Sequence, residues 1–248
     1  MCPVWPRAVF RHSEAVNPQN PRLAIIGGAG RLGKAITDRY PDEVVSIVRR
    51  PEQMYEQMEL SDLGVSPVLA DVSRSAIEEL AETLSGVHSV VYAAGSRLDN
   101  SFDVFSNNLV GSLRAQQASK LAGVERFVQV TPCAELAAAV GCAHPESVTM
   151  ADEALRISGL NYTIIRPSAM MIDAAPGLQL ASSDVDFQPV LLDDIADLVC
   201  EVLDADLAPG SEINVTAGSQ TPSSTLSDFL RRPNSVSAGQ QPVNLSRS

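Results

Sequence analysis

Short aliphatic runs alternate along this chain with stretches in which apolar residues recur at helical spacing. Six runs read as strands: Leu23–Ile26, Val44–Val48, and residues 68–70, 87–93, 126–131 and 162–166. Most are apolar on both faces, the pattern of parallel strands covered by helices on each side. Pro67 precedes the third run, which suits a strand's first position. The intervening segments have helical grammar. Ser75 and Glu78 have capping-box spacing, Ile77, Leu80, Ala81 and Leu84 share one apolar face, and Gly86 marks a stop. A helix holding Leu109, Leu113 and Leu121 stops at Gly123, and one holding Leu155 stops at Gly159. Asp193 is placed to cap a helix with Ile195, Leu198, Val199 and Val202 on one side. Alternation at this spacing predicts right-handed βαβ units, and hence a doubly wound, mostly parallel α/β sheet with helices on both faces and a small C-terminal substrate region. Residues 22–232 form the single domain of this reading, and the unperiodic segments 1–21 and 233–248 read as poorly ordered tails.

The most informative segment follows the first strand: Ile25-Ile26-Gly27-Gly28-Ala29-Gly30-Arg31-Leu32-Gly33. Glycines at 27, 30 and 33 suit a dinucleotide turn. Gly27 permits a tight turn, Gly30 lets backbone approach a pyrophosphate, and Gly33 allows close packing of helix on strand. The following helix start offers free N–H groups to the anion. The alternative is an ordinary glycine-rich turn, but the strand before and the helix after are the context a Rossmann-type cofactor site requires. NAD-preferring folds place a carboxylate at the end of the second strand, against the ribose 2′-OH. Here that strand runs into Arg49-Arg50-Pro51. A guanidinium matches a 2′-phosphate in charge and fork geometry, so NADP(H) is expected in preference to NAD(H), with Arg49 as the main contact. A solvated arginine pair is the competing reading.

Composition removes other classes. Among 248 residues, 18 Lys and Arg stand against 30 Asp and Glu, a net charge of −12. That balance argues against nucleic acid or an anionic membrane surface as the main partner. Cys2, Cys133, Cys142 and Cys200 show no Cys-x-x-Cys spacing, and His12, His88 and His144 are scattered without ligand spacing, so free thiols and no metal are expected. No signal-peptide run or membrane-length apolar stretch is present, and a soluble cytoplasmic protein is expected. Assembly into a homo-oligomer stays open.

The order of motifs resembles the compact, NmrA-like branch of the atypical short-chain dehydrogenase/reductase superfamily. The resemblance runs over residues 23–231. It is carried by Gly-Gly-Ala-Gly-Arg-Leu-Gly, Val48-Arg49-Arg50-Pro51-Glu52, Ala70-Asp71-Val72 and Tyr92-Ala93-Ala94-Gly95. Further along stand the run from Ala122 to Val128, the run from Ser158 to Pro167, and Asp193-Asp194-Ile195-Ala196. The resemblance implies that Arg31 and Leu32 belong to the cofactor turn and that Arg50 follows Arg49 beside it. It implies that Asp71 and Val72 face the adenine and that Ala93, Ala94 and Gly95 line the ribose side. Pro167 to Met170, with Pro167 and Ser168 foremost, would lie near the nicotinamide. Each has a plainer alternative: Asp71 capping the next helix, residues 93–95 ending a strand, and residues 158–167 packing a helix on a strand.

The superfamily's usual catalytic set is Ser or Thr followed by Tyr-x-x-x-Lys, in which Tyr moves the substrate proton. This chain departs from it. Its two lysines are Lys34 and Lys120, no Tyr lies between Tyr92 and Tyr162, and the Tyr162/Arg166 spacing belongs to the sixth strand. The fifth strand ends Thr131-Pro132-Cys133, so Thr131 alone keeps a hydroxyl where the superfamily has a Ser pair. His144 is the histidine of the following loop and a candidate proton shuttle; a solvated side chain is the alternative. Cys133 is a nucleophile or a small buried hydrophobe. Residues 168–172 and 176–178 line a pocket for a small hydrophobic molecule, or fill core. Three functions remain open. One is an oxidoreductase acting on a small hydrophobic carbonyl or quinone-like compound without the Tyr–Lys pair. The second is an NADP-binding regulator or scaffold, and the third a non-redox cyclase, isomerase or dehydratase.

Overall fold

Leu23 and Ile25 point to one side of the first strand and Ala24 and Ile26 to the other, and each pair enters a different hydrophobic cluster. That division runs through the whole sheet and sets the architecture. The computed structural model describes residues 23–40, 44–58, 64–95, 104–139, 141–142, 144–181, 188–205 and 209–231. The two tails of the sequence reading lie outside these residues. The strands are β1 (Leu23–Ile26), β2 (Val44–Val48), β3 (Val65–Leu69), β4 (Ser89–Tyr92), β5 (Arg126–Val130), β6 (Tyr162–Pro167), β7 (Met170–Met171), β8 (Leu178–Ala181), β9 (Val190–Leu191) and β10 (Ser211–Ala217). The helices are α1 (Arg31–Thr37), α2 (Pro51–Met58), α3 (Ile77–Thr83), α4 (Ser112–Ala122), α5 (Ala134–Ala139), α6 (Glu146–Ile157), α7 (Leu192–Asp204) and α8 (Pro222–Leu230), with a π-helix at Val104–Gly111.

An eight-stranded sheet has the order β3-β2-β1-β4-β5-β6-β10-β8, and β7 and β9 form a separate pair. Only β8 runs antiparallel, against β10. This is a doubly wound Rossmann-type α/β fold, whose order reverses between β1 and β4. One face is covered by Leu32 and Ile36 of α1, Ile195, Leu198, Val199 and Val202 of α7, and Leu226 and Phe229 of α8. The other is covered by Leu80 of α3, Ala115 and Ala118 of α4, and Leu155 of α6.

Four local expectations are corrected. β3 begins at Val65, and Pro67 lies inside it, opposite Ser46. An edge strand tolerates proline because one side of its ladder is unpaired. The Ser75–Glu78 box does not form. Ala76 is the N-cap of α3 and no side chain caps it, while the Ser75 carbonyl accepts from Arg114. The helix read over residues 109–121 is the π-helix followed by α4, and Leu121 is 65% exposed. Asp193 lies within the first turn of α7 rather than at its cap, and pairs with Arg39 at 3.2 Å. Gly86, Gly123 and Gly159 do stand at helix ends with positive φ. No helix among the described residues is long and apolar enough to cross a membrane.

Candidate functional site

The glycine turn sits where the sheet order reverses. The Gly27 N–H donates to the Ile47 carbonyl at 3.0 Å, and the Ala93 N–H donates to the Ile26 carbonyl at 2.9 Å. Gly27 has φ +92° and passes so close to β4 that a Cβ there would stand 2.8 Å from the Ala94 backbone. A Cβ on Gly33 would stand 2.4 Å from the Gly27 carbonyl oxygen. Gly33 therefore serves the close approach of helix and turn, rather than of helix and strand as read from sequence. Below the turn, buried Gln57 donates to the Gly28 carbonyl at 2.9 Å and accepts from the buried Ser46 hydroxyl. That bracket ties the turn to β2 and α2. Gly30 is the N-cap of α1, and no side chain caps its amides.

The turn forms one wall of a cleft. Of the expected cofactor residues, Gly27, Gly30, Arg49, Val72, Ala93, Ala94 and Gly95 line it. Arg31, Leu32, Gly33, Arg50, Asp71, Pro167 and Ser168 do not. Arg31 is exposed, and Leu32 is buried in the core beneath. Arg50 is exposed, and its N–H donates to Gln53 Oε1 at 3.2 Å at the start of α2. Asp71 Oδ1 accepts from the Ser73 N–H at 3.0 Å and the Ser73 hydroxyl at 2.7 Å, so the carboxylate organises the turn after β3. Ser168 is buried, with its hydroxyl on the Gln188 carbonyl.

Ala29 and Ala70, which stand within the quoted motifs, also line the cleft, and sequence reasoning missed Gln53 and Asn107. Asn107 comes from the π-helix, and its carbonyl accepts from the buried Tyr92 hydroxyl. Burial and the nearby Asp71 carboxylate push the Tyr92 hydroxyl far above its ordinary pKa, so it stays a neutral donor. Gly111 makes room for it, since a Cβ there would stand 2.7 Å from the Tyr92 oxygen. The sequence signal for Asn107 is weak: a pair of amides, Asn107 and Asn108, between Ser106 and an apolar run.

The two catalytic candidates are not among the described residues that line this cleft. Thr131 is buried, and its hydroxyl faces the Pro132 carbonyl at 3.4 Å. His144 is exposed, with Nδ1 3.2 Å from Glu146 Oε1 and its ring edge-on to Phe105. Arg166 is not paired with Tyr162 for catalysis. It donates from Nε and Nη2 to Asp152 Oδ2 at 2.8 and 2.7 Å, and to Glu212 Oε2 at 2.8 Å. Gln129 donates to Asp152 Oδ1 at 2.6 Å, and Arg156 donates to both Glu212 oxygens at 2.7 and 2.9 Å. This network locks β5, β6 and β10 to α6.

Of the four cysteines, Cys2 lies outside the described residues, and Cys133, Cys142 and Cys200 are free thiols. Cys142 is buried with Val104 and Ala137. Burial pushes the Cys133 thiol up, against a lowering contact from the Leu136 N–H. Burial, with Asp197 nearby, pushes Cys200 up to about 11. A raised thiol pKa lowers the thiolate fraction. At a pH of about 7.5, Cys133 and Cys200 are therefore expected to react with iodoacetamide more slowly than glutathione does. Mass spectrometry of timed quenches checks this, and labelling of Cys133 faster than glutathione would restore it as a candidate nucleophile.

Residues 27–206 match the family described as NAD(P)H-binding. The chain belongs to that family. It is also 28% identical over 214 residues to a Bacillus subtilis protein described as an uncharacterized sugar epimerase, YhfK, covering 79% of this chain and 94% of that one. Among solved structures, an oxidoreductase from Lactococcus lactis, YlbE, superposes with a TM-score of 0.70 at 23% identity, covering 85% of this chain and 97% of that chain. ChuY, an anaerobillin reductase from Escherichia coli O157:H7, superposes with a TM-score of 0.66 at 17% identity, covering 79% and 96%. These structural likenesses show the fold. With family membership they agree with the resemblance to atypical short-chain dehydrogenases/reductases, and a nicotinamide dinucleotide is the family's ligand.

Proposed function

We propose that the protein is an NADP(H)-dependent reductase of a small hydrophobic carbonyl or quinone-like compound, working in the cytoplasm. The observation that carries the cofactor choice is the charge of the cleft. Among the described residues lining it, Arg49 is the one charged side chain and none is a carboxylate. A carboxylate at that place would repel a 2′-phosphate; a guanidinium attracts one. The close backbone approaches at Gly27 and Gly33, the uncapped start of α1 and the small residues at 93–95 suit a pyrophosphate and ribose on the same floor. When bound, the nicotinamide supplies or takes the hydride. The chain's own part is to bind the dinucleotide, orient it and exclude water. The reductase and oxidoreductase descriptions of two neighbours support a redox reading, and the epimerase description of YhfK supports a non-redox one.

One observation favours a second reading. Neither Thr131 nor His144 lines the cleft, which suits a protein that binds NADP without turning it over.

Arg49→Ala separates the cofactor alternatives. Loss of charge-assisted hydrogen bonds to a phosphate is expected to weaken NADPH binding by roughly 10- to 100-fold, while NADH binding stays within about twofold. Calorimetric titration reads both. Equal loss for the two dinucleotides removes the 2′-phosphate assignment. NADPH consumption with a panel of small quinones and aldehydes then decides between reductase and binder.

A further inference from the structure

Arg49 is exposed and lines the cleft, and the geometry of an exposed arginine depends on the neighbours that hold it. Asn107 lines the same cleft and is buried, at 7% exposure. Its Oδ1 lies 3.5 Å from Arg49 Nη1. The backbone beneath it is pinned, because the Asn107 carbonyl accepts from the Tyr92 hydroxyl, whose oxygen lies so near Gly111 that a Cβ there would stand 2.7 Å from it. We infer that Asn107 is a specificity-determining positioning residue, which holds the Arg49 guanidinium over the cleft and sets the preference for a dinucleotide carrying a 2′-phosphate. The inference rests on the reading that Arg49 meets that phosphate.

The chemistry of the amide decides its effect. An amide oxygen accepts from a guanidinium and leaves its positive charge intact. A carboxylate at the same place would accept the same hydrogen bond but neutralise the charge and repel an incoming phosphate. Two residues 58 positions apart thus act together. Arg49 supplies the charge, and Asn107 helps to direct it from a buried position. A π-helical turn suits this role, since such turns recur where a side chain must be re-aimed at a functional site.

The experiment is a calorimetric titration of NADPH and NADH against the full chain and four variants: Arg49→Ala, Asn107→Asp, Asn107→Ala, and Arg49→Ala combined with Asn107→Ala. Asn107→Asp is expected to weaken NADPH roughly tenfold or more, the scale on which a neighbouring charge acts at this distance, and NADH by less than about threefold. Asn107→Ala moves the ratio the same way by a smaller factor. In the Arg49→Ala background, Asn107→Ala changes the ratio no further. Melting temperatures without ligand are read alongside, and Asn107→Ala carries the test where Asn107→Asp does not fold. Equal loss for both dinucleotides, or an unchanged ratio, overturns the inference. The two layers fail differently. A ratio that survives Arg49→Ala removes the 2′-phosphate reading and this inference with it. A ratio that collapses in Arg49→Ala but holds in both Asn107 variants removes Asn107 alone.

Discussion

Replacement of Asp152 by alanine is expected to cost about 3–5 kcal/mol of stability, the range for breaking a buried ion pair by removing one partner. For a chain of this size that lowers the melting temperature by about 10 °C. The side chains of Asp152 and Arg166 are 4% and 13% exposed, so neither regains full hydration when the other is lost. Removing the carboxylate leaves Arg166 and Arg156 sharing the single carboxylate of Glu212, and strips Gln129 of its acceptor. Four elements lose a common fastening at once. The comparison is Arg231→Ala, which breaks a pair with Asp228 whose side chains are 77% and 43% exposed. An exposed pair contributes at most about 1 kcal/mol, and its loss should scarcely move the melt. Thermal unfolding of both variants, followed by circular dichroism, makes the test. Equal small shifts would mean that the network is hydrated and carries no special share of stability.

The network also shows what the sequence could and could not convey. Tyr162-Thr163-Ile164-Ile165-Arg166 reads as a strand from its β-branched run, and it is one. That Arg166 meets Asp152 and Glu212 is invisible in that run, because the partners come from α6 and β10 and meet only when the sheet is wound. The same division holds elsewhere. β1 and β2 match their expected bounds, since aliphatic residues on both faces leave a strand little ambiguity. β3 starts ahead of its expected bound because Pro67 looks like a boundary, and only its edge position explains why it is not. β10 alternates buried Ile213 and Val215 with polar residues, a half-covered pattern unlike the fully buried runs of β1, β2 and β4. At the site, the glycine turn and Arg49 are legible because a turn and a strand end are local. Asn107 and Gln57 are not, since each acts in the cleft or beneath the turn through the fold. Thr131 and His144 lie close in sequence to the end of the fifth strand, and that nearness carries neither into the cleft.

Gly33→Ala is expected to weaken dinucleotide binding by more than about tenfold and to lower stability by about 1–3 kcal/mol, the cost of overpacking a site that cannot relax. Two effects compete at this position. Alanine in a helix is intrinsically favoured over glycine by up to about 1 kcal/mol, so an unhindered site would gain. Here the added carbon would stand 2.4 Å from the Gly27 oxygen, 2.6 Å from Gly28 Cα and 2.8 Å from the Gly28 oxygen. All three are backbone atoms, so no side chain can swing away, and the clash decides the sign. Relief requires α1 to lift or the turn to shift. A shifted turn strains the 3.0 Å bond from the Gly27 N–H to Ile47 and the 2.9 Å bond from Gly30 to Gly27, on the wall where a pyrophosphate would lie. Gly95→Ala is the control. A Cβ there meets nothing within 4 Å, so stability should stay within about 0.5 kcal/mol. Gly95 lines the same cleft, so a fall in affinity without a fall in stability would place the dinucleotide against residues 93–95. Melting curves with and without NADPH, together with titration calorimetry, read both quantities. Wild-type affinity in Gly33→Ala would show that the turn is not the anchoring wall, whatever the fold has in common with dinucleotide-binding proteins.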